Sequence, residues 1–161
     1  MRDPDPDPHQ HFEIATTVRA SQEQVWAWIT DFRCIRREMM PVMRMTVPRD
    51  FAGLTPETVV PGQRLFRSWI FLGGLLPFDW SDLTLETLAP GAGFVERSPM
   101  GSMRHWQHRR WITPAGRGCT ITDTLTFAPR FATPLASAFV KAFFRHRHRR
   151  LRRFLGSPDS R

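Results

Sequence analysis

Between Gly101 and Phe127 the sequence reads GSMRHWQHRRWITPAGRGCTITDTLTF, and it concentrates side chains that could do chemistry: His105, His108, Arg110 and Asp123. If residues 103–112 form a strand, alternation puts Arg104, Trp106, His108, Arg110 and Ile112 on one face and turns His105 away. His105 and His108 then cannot chelate one metal ion, and no neighbouring cysteine supplies a third ligand, so no metal site is expected. Residues 119–128 alternate in the same way, which turns Ile121, Asp123, Leu125 and Phe127 inward. Asp123 becomes a carboxylate among apolar neighbours. It needs a hydrogen-bonded partner or a proton, and His108, Arg110 and Arg147 are the candidates. In an enzyme, His108 would be the general base and Asp123 would orient it. No nucleophile, phosphate loop or cofactor motif accompanies the pair to define a reaction, and no cofactor is expected.

Arg147 enters this group through helical spacing. The stretch LASAFVKAFFRHRHRRLRRFL after Pro134 runs about twenty residues without proline or glycine, enough for a long terminal helix. At 100° per residue Ala136, Val140, Phe143, Leu151 and Phe154 form one stripe, with Arg147 in its middle. Such a cation either snorkels out of the apolar face or is directed at the sheet, where it needs a carboxylate or a ligand anion. Arg145, His148, Arg149 and Arg152 fall on the opposite, solvated face and could track phosphates. The phenylalanines belong to the buried stripe, so that face lacks a stacking platform for bases.

The elements that must position these groups read as follows. The Asp-Pro repeat of residues 1–10 cannot build regular hydrogen bonding or a core, so a disordered tail is expected there. HFEIATTVRA alternates as a strand, and Ser21 with Gln24 has capping-box spacing for a helix carrying Val25, Trp28, Ile29 and Phe32. A second short helical piece spans Ile35 to Met40 and ends at Pro41. Short strands follow at about 43–48, 64–72, 79–88, 93–98, 103–112 and 119–128, separated by Pro and Gly signals, as in an antiparallel meander. The domain is expected to cover 11–155, with a flexible end at 156–161.

Composition narrows the class. The chain has 161 residues, 41% of them hydrophobic, with thirteen Phe and six Trp, enough for one substantial core. Cys34 and Cys119 form no short-spaced motif, and no apolar run is long enough to cross a bilayer. A cytoplasmic protein, monomeric or homodimeric, is the expectation. Net charge is +8, yet of 23 basic residues only Lys141 is a lysine, as arginine-rich, GC-biased coding would produce in any protein.

Strand, two short helices, six more strands and a long last helix resemble the SRPBCC superfamily, the START-like and birch-pollen-allergen-like proteins that include polyketide cyclases, and in particular its small bacterial ligand-binding members. The likeness rests on Pro41, Gly62, the Pro77 and Trp80 pair, Phe94-Val95-Glu96, the Gly101 to His108 segment, Thr122-Asp123, and Phe144, Arg147 and Leu151. Ser102, Met103 and Arg110 stand where such proteins usually have proline, an aromatic and a second histidine. The resemblance implies an α+β helix-grip fold: a seven-stranded curved antiparallel sheet wrapped around a long C-terminal helix, with two short helices between strands one and two. It also implies an internal cavity between sheet and last helix for a small, largely hydrophobic molecule of lipid, polyketide or aromatic type. The expected lining is Trp106, His108, Arg110, Ile112, Ile121, Asp123, Leu125, Phe139, Phe143 and Arg147, with Met39, Met43 and Trp80. An aromatase or cyclase acting on a polyketide-like substrate is the alternative, and nonspecific nucleic-acid binding through the basic helix a further one.

Overall fold

The computed structural model describes residues 9–158, so most of the expected N-terminal tail and residues 159–161 lie outside the described residues. The elements are β1 (Gln10–Val18), α1 (Gln22–Thr30), α2 (Phe32–Met39), β2 (Met43–Met45), β3 (Arg64–Leu72), β4 (Leu76–Ala89), β5 (Gly93–Glu96), β6 (Met103–Ala115), β7 (Gly118–Pro129) and α3 (Thr133–Leu155). The seven strands form one antiparallel sheet in the order β1-β7-β6-β5-β4-β3-β2. It curls around α3 in the helix-grip arrangement that the sequence resembles.

Local chemistry explains the boundaries. Ser21 Oγ accepts from the Gln24 amide at 3.2 Å and Gln24 Oε1 accepts from the Ser21 amide at 2.9 Å, which closes the expected capping box on α1. β4 starts at Leu76, earlier than the pattern suggests. Gly73 and Gly74 both take positive φ and turn the chain so tightly that Leu76 already pairs with Leu72. α3 includes Pro134 in its first turn, where a missing N–H leaves no helical bond unmade. At the C-terminal end, the Arg19 amide donates to the Gly156 carbonyl at 3.0 Å and Arg19 Nε to the Ser157 carbonyl at 2.6 Å.

One departure from strict alternation matters for the interior. The β6–β7 register shifts between Met103 and His105, so Met103 is buried while Arg104 is turned out to solvent, against the expectation that Arg104 shares the inner face. From Trp106 onward the expected inward set holds.

The core has two apolar clusters. One gathers Val25 and Ile29 of α1 with Leu85, Phe94, Ile112, Ile121 and Leu151. The other gathers Ile35 and Met39 of α2 with Met103, Leu125, Phe127, Val140, Phe143 and Phe144. Along β6, β7 and α3 alike, the residues between the two clusters are ionisable: His108 and Arg110, Asp123, and Arg147 and His148. A charged layer therefore crosses the middle of the core.

Close strand approach is needed beside that layer. A Cβ on Gly93, which pairs with Trp111, would collide with the Arg110 carbonyl oxygen and lie 2.7 Å from the Trp111 ring. Gly93→Ala is expected to cost about 1–3 kcal/mol by overpacking. The readout is a lowered urea midpoint with an unchanged slope, and an unchanged midpoint would contradict this packing.

Candidate functional site

Arg110, 1% exposed, occupies the centre of the layer. Its Nε and Nη2 donate to the two oxygens of Asp123 at 2.7 and 2.6 Å. Its Nη2 and Nη1 also donate to Glu38 Oε1 and Oε2 at 2.7 and 3.2 Å. One planar guanidinium thus joins β7 to α2, a geometry that lysine could not reproduce. Glu38 accepts further from Arg147 Nε at 2.7 Å and from Trp28 Nε1 at 3.3 Å. Asp123 accepts from His108 Nε2 at 2.8 Å and His148 Nε2 at 2.9 Å, so each carboxylate receives four hydrogen bonds. His108 Nδ1 lies 3.5 Å from Glu96 Oε2, which links β5 to the layer.

Charge balance makes such burial tolerable. Glu38 and Asp123 are fully buried, and two guanidiniums oppose them. Burial alone would raise the pKa of Glu38, but Arg110 and Arg147 outweigh it and hold that carboxyl below its usual value. For Asp123 burial is likewise overcome, by Arg110 and then His108, and the carboxyl is held well below the ordinary range. Arg110 loses solvation on burial, and the carboxylates of Asp123 and Glu38 more than restore its charge preference.

The expected cluster of His108, Arg110, Asp123 and Arg147 is thus brought together, but the link from Arg147 to Asp123 runs through Glu38 and Arg110. Two members escaped the sequence reading. Glu38 follows Ile35 by three residues and precedes Met39, which puts it on the buried face of α2. Two inward guanidiniums facing one aspartate also called for a second carboxylate. His148 was assigned to the solvated face of α3, yet it is 1% exposed, because four residues back is Phe144 and three ahead is Leu151. Phe154, assigned to the buried stripe, is 37% exposed and stacks on Trp28 instead.

The other expected lining residues divide. Ile112 and Ile121 belong to the cluster under α1, whereas Leu125, Met39 and Phe143 belong to the other, with Met43 and Trp106 packed against it. Phe139 stacks on Phe143 at 6.3 Å and faces Phe78 of β4 at 6.3 Å. Trp80 leaves the group: Ser81, Leu83 and Leu85 take the inner face of β4, and Trp80 lies on the outer face under the Arg67 guanidinium at 4.4 Å. His105, also away from the interior, stacks on His9 at 4.5 Å. The charged layer and the phenylalanines Phe127, Phe143 and Phe144 lie buried between sheet and α3. Two clefts open on the surface. One, about 640 Å³, lies between the start of α2 and the β2–β3 connection, and the other, about 590 Å³, between the start of β1 and the N-terminal half of α3.

The fold is the helix-grip arrangement, a curled seven-stranded antiparallel sheet around a long C-terminal helix. The chain is similar to protein CV1439 from Chromobacterium violaceum (TM-score 0.70, 13% identity, covering 94% of this chain and 100% of that one). It is also similar to a START superfamily protein from Mycobacterium smegmatis (TM-score 0.66, 12% identity, 92% and 97% covered). DynU16, a protein of the dynemicin biosynthetic locus, matches with a TM-score of 0.62 and 18% identity over 92% of this chain and 48% of its own, so the chain spans about half of DynU16. No curated protein matches in sequence. Residues 16–155 match the family described as domain of unknown function (DUF8410), and the chain belongs to that family. Among the described residues no helix is long and apolar enough to cross a membrane.

Two expectations follow from the layer. Arg147→Met strips Glu38 of one partner and is expected to cost about 3–5 kcal/mol. Glu38→Gln on that background should return part of the loss, with a coupling larger than that between Arg147→Met and Asp123→Asn. Additivity within about 0.3–0.5 kcal/mol for the Glu38 pair would contradict the contact.

The pH dependence has a defined sign. Both carboxyls titrate lower in the folded than in the unfolded chain, where they titrate near 3.9 for Asp and 4.3 for Glu. Their stabilisation is complete above those unfolded values and is lost as pH falls through the folded ones. Urea stability should therefore hold from neutrality to about pH 5 and then decline, while the Asp123 carboxyl carbon shows no NMR titration until well below 3.8. An Asp123 signal titrating at 3.8 or above would contradict the network.

Proposed function

We propose that the protein binds a small, largely hydrophobic molecule with an anionic end, taken up between sheet and α3 on the side of the methionine and phenylalanine cluster. The observation that carries this reading is the setting of Arg147. It is 8% exposed, gives its Nε to Glu38, and lies with its guanidinium carbon 4.9 Å from the Phe144 ring centre and 5.8 Å from that of Phe143. Arg110, by contrast, is saturated on both edges. Arg147 is thus the cation with donors to offer an incoming carboxylate or phosphate, beside apolar rings that would meet the ligand body.

Entry requires the interior to open, and the residues around the route are suited to it. Val42, Met43, Met45 and Met100 are partly buried against the cluster that holds Met39, Met103 and Phe143. Thioether side chains repack at little cost. The cyclase alternative is less favoured by the geometry. His108 is 3% exposed, with Phe94 and Phe144 edge-on to it, and Asp123 is fully engaged in orienting it and in holding Arg110.

A hydrophobic fluorophore should brighten with the native protein, and fatty or aromatic acids should displace it. Acids should bind better than alcohols of equal length by roughly tenfold or more, as for a charge-assisted hydrogen bond. The charge-balanced double variant Arg147→Met, Glu38→Gln should lose that preference. Brightening that begins only in urea concentrations that unfold the chain would sink the proposal.

A further inference from the structure

Eight large hydrophobic side chains are exposed among the described residues, and five of them cluster on two neighbouring chain segments. Leu75, Leu76 and Phe78, at 87, 62 and 52% exposure, belong to the β3–β4 hairpin. Phe131 and Leu135, at 79 and 73%, belong to the β7–α3 connection and the first turn of α3. The Phe78 and Phe139 rings, 6.3 Å apart, bring the segments together, and Leu135 lies one helical turn before Phe139. So much apolar surface at one end of a soluble domain calls for a partner.

Cations flank this end. Arg44 donates its Nε to the Gly74 carbonyl at 3.2 Å and stacks on Phe71 at 4.5 Å, so it flanks the hairpin. Arg130 lies on the other segment and donates to the Gly101 carbonyl at 3.0 Å. On the flank of α3 the cleft of about 590 Å³ is lined by Gln10, Thr133, Pro134, Ser137, Lys141 and Arg145, with no carboxylate among the described residues. Ser137 is 7% exposed and its Oγ has no hydrogen-bond partner among the described residues. Asp79, the one acidic residue of residues 72–79, is occupied by the Ser102 amide at 3.0 Å, the Ser102 hydroxyl and the Trp80 amide. The whole of α3 carries no acid.

We infer that this end of the molecule docks on an anionic lipid surface. Leu75, Leu76, Phe78, Phe131 and Leu135 enter the headgroup boundary, and the cleft holding Lys141 and Arg145 receives a lipid phosphate. Apolar side chains at loop tips with cations just behind them match the two layers of such a surface, whereas an apolar protein partner would have no use for those cations. This docking goes beyond the ligand reading above and holds whichever molecule the interior accepts.

Flotation of the full chain with vesicles tests it. Vesicles of phosphatidylcholine with phosphatidylglycerol should carry the protein upward, and vesicles of phosphatidylcholine alone should carry little. Leu75→Ser with Leu76→Ser should weaken vesicle binding by at least about tenfold, since both side chains would otherwise leave water. Lys141→Gln with Arg145→Gln should weaken it and flatten its salt dependence. Arg149→Gln with Arg152→Gln, exposed on the later turns of α3, should leave binding within about twofold and so serves as the charge control. Fluorophore binding in the interior should be unchanged in the leucine variant, which separates failure here from failure of the ligand reading. Equal binding by the leucine variant, or equal loss in the charge control, would overturn the docking. So would a leucine variant whose only change is loss of self-association in sedimentation velocity, because the patch would then serve a second copy of the chain.

Discussion

Everything in the interior is arranged around one guanidinium. Arg110 reaches from the centre of β6, lies flat between two carboxylates, and is bound by each through two hydrogen bonds. Burying such a group costs several kcal/mol unless both edges are satisfied, so Asp123 and Glu38 must be in place whenever the chain is folded. That requirement fixes the register of β7 against β6, the rotation of α2, and, through Arg147 and His148, the rotation of α3. The apolar clusters on either side supply the burial energy but no direction. The charged layer supplies direction.

Filling the centre with ions changes what the helix-grip arrangement can do. Between sheet and helix the described side chains set a layer of ionisable groups, His108, Arg110, Asp123, Arg147 and His148. The layer divides the interior, with Ile112, Ile121 and Leu151 packed under α1 on one side and the methionine and phenylalanine cluster on the other. In that division Arg147, at 8% exposure, is the most exposed cation of the layer.

Much of this was legible in the sequence because strand and helix periods are strict. Alternation in residues 119–128 turned Asp123 inward, and the stripe through Val140, Phe143 and Leu151 turned Arg147 toward the sheet. What remained hidden depended on contacts between distant elements. Glu38 sits in a charged stretch, RREMM, whose polar look conceals a buried helix face. His148 stands in an arginine run, and its neighbours on the helix surface decide its burial more than its neighbours in sequence do. Arg104 was turned outward by a register shift that no local pattern announces, and Trp80 was placed by a family likeness where the alternation of Ser81, Leu83 and Leu85 puts it outside.

Arg110 and Arg147 are held in one buried network through Glu38, and the direct observable is the exchange of their Nε protons with water. In nitrogen-15 NMR spectra at neutral pH, Arg110 should give a resolved Nε–H signal that persists after transfer to deuterated buffer about as long as the core amides, because only global opening exposes it. Arg147 should give a resolved but less protected signal, in keeping with its 8% exposure. An Arg110 signal that merges with those of exposed arginines such as Arg33, or vanishes at once in deuterated buffer, would contradict the network.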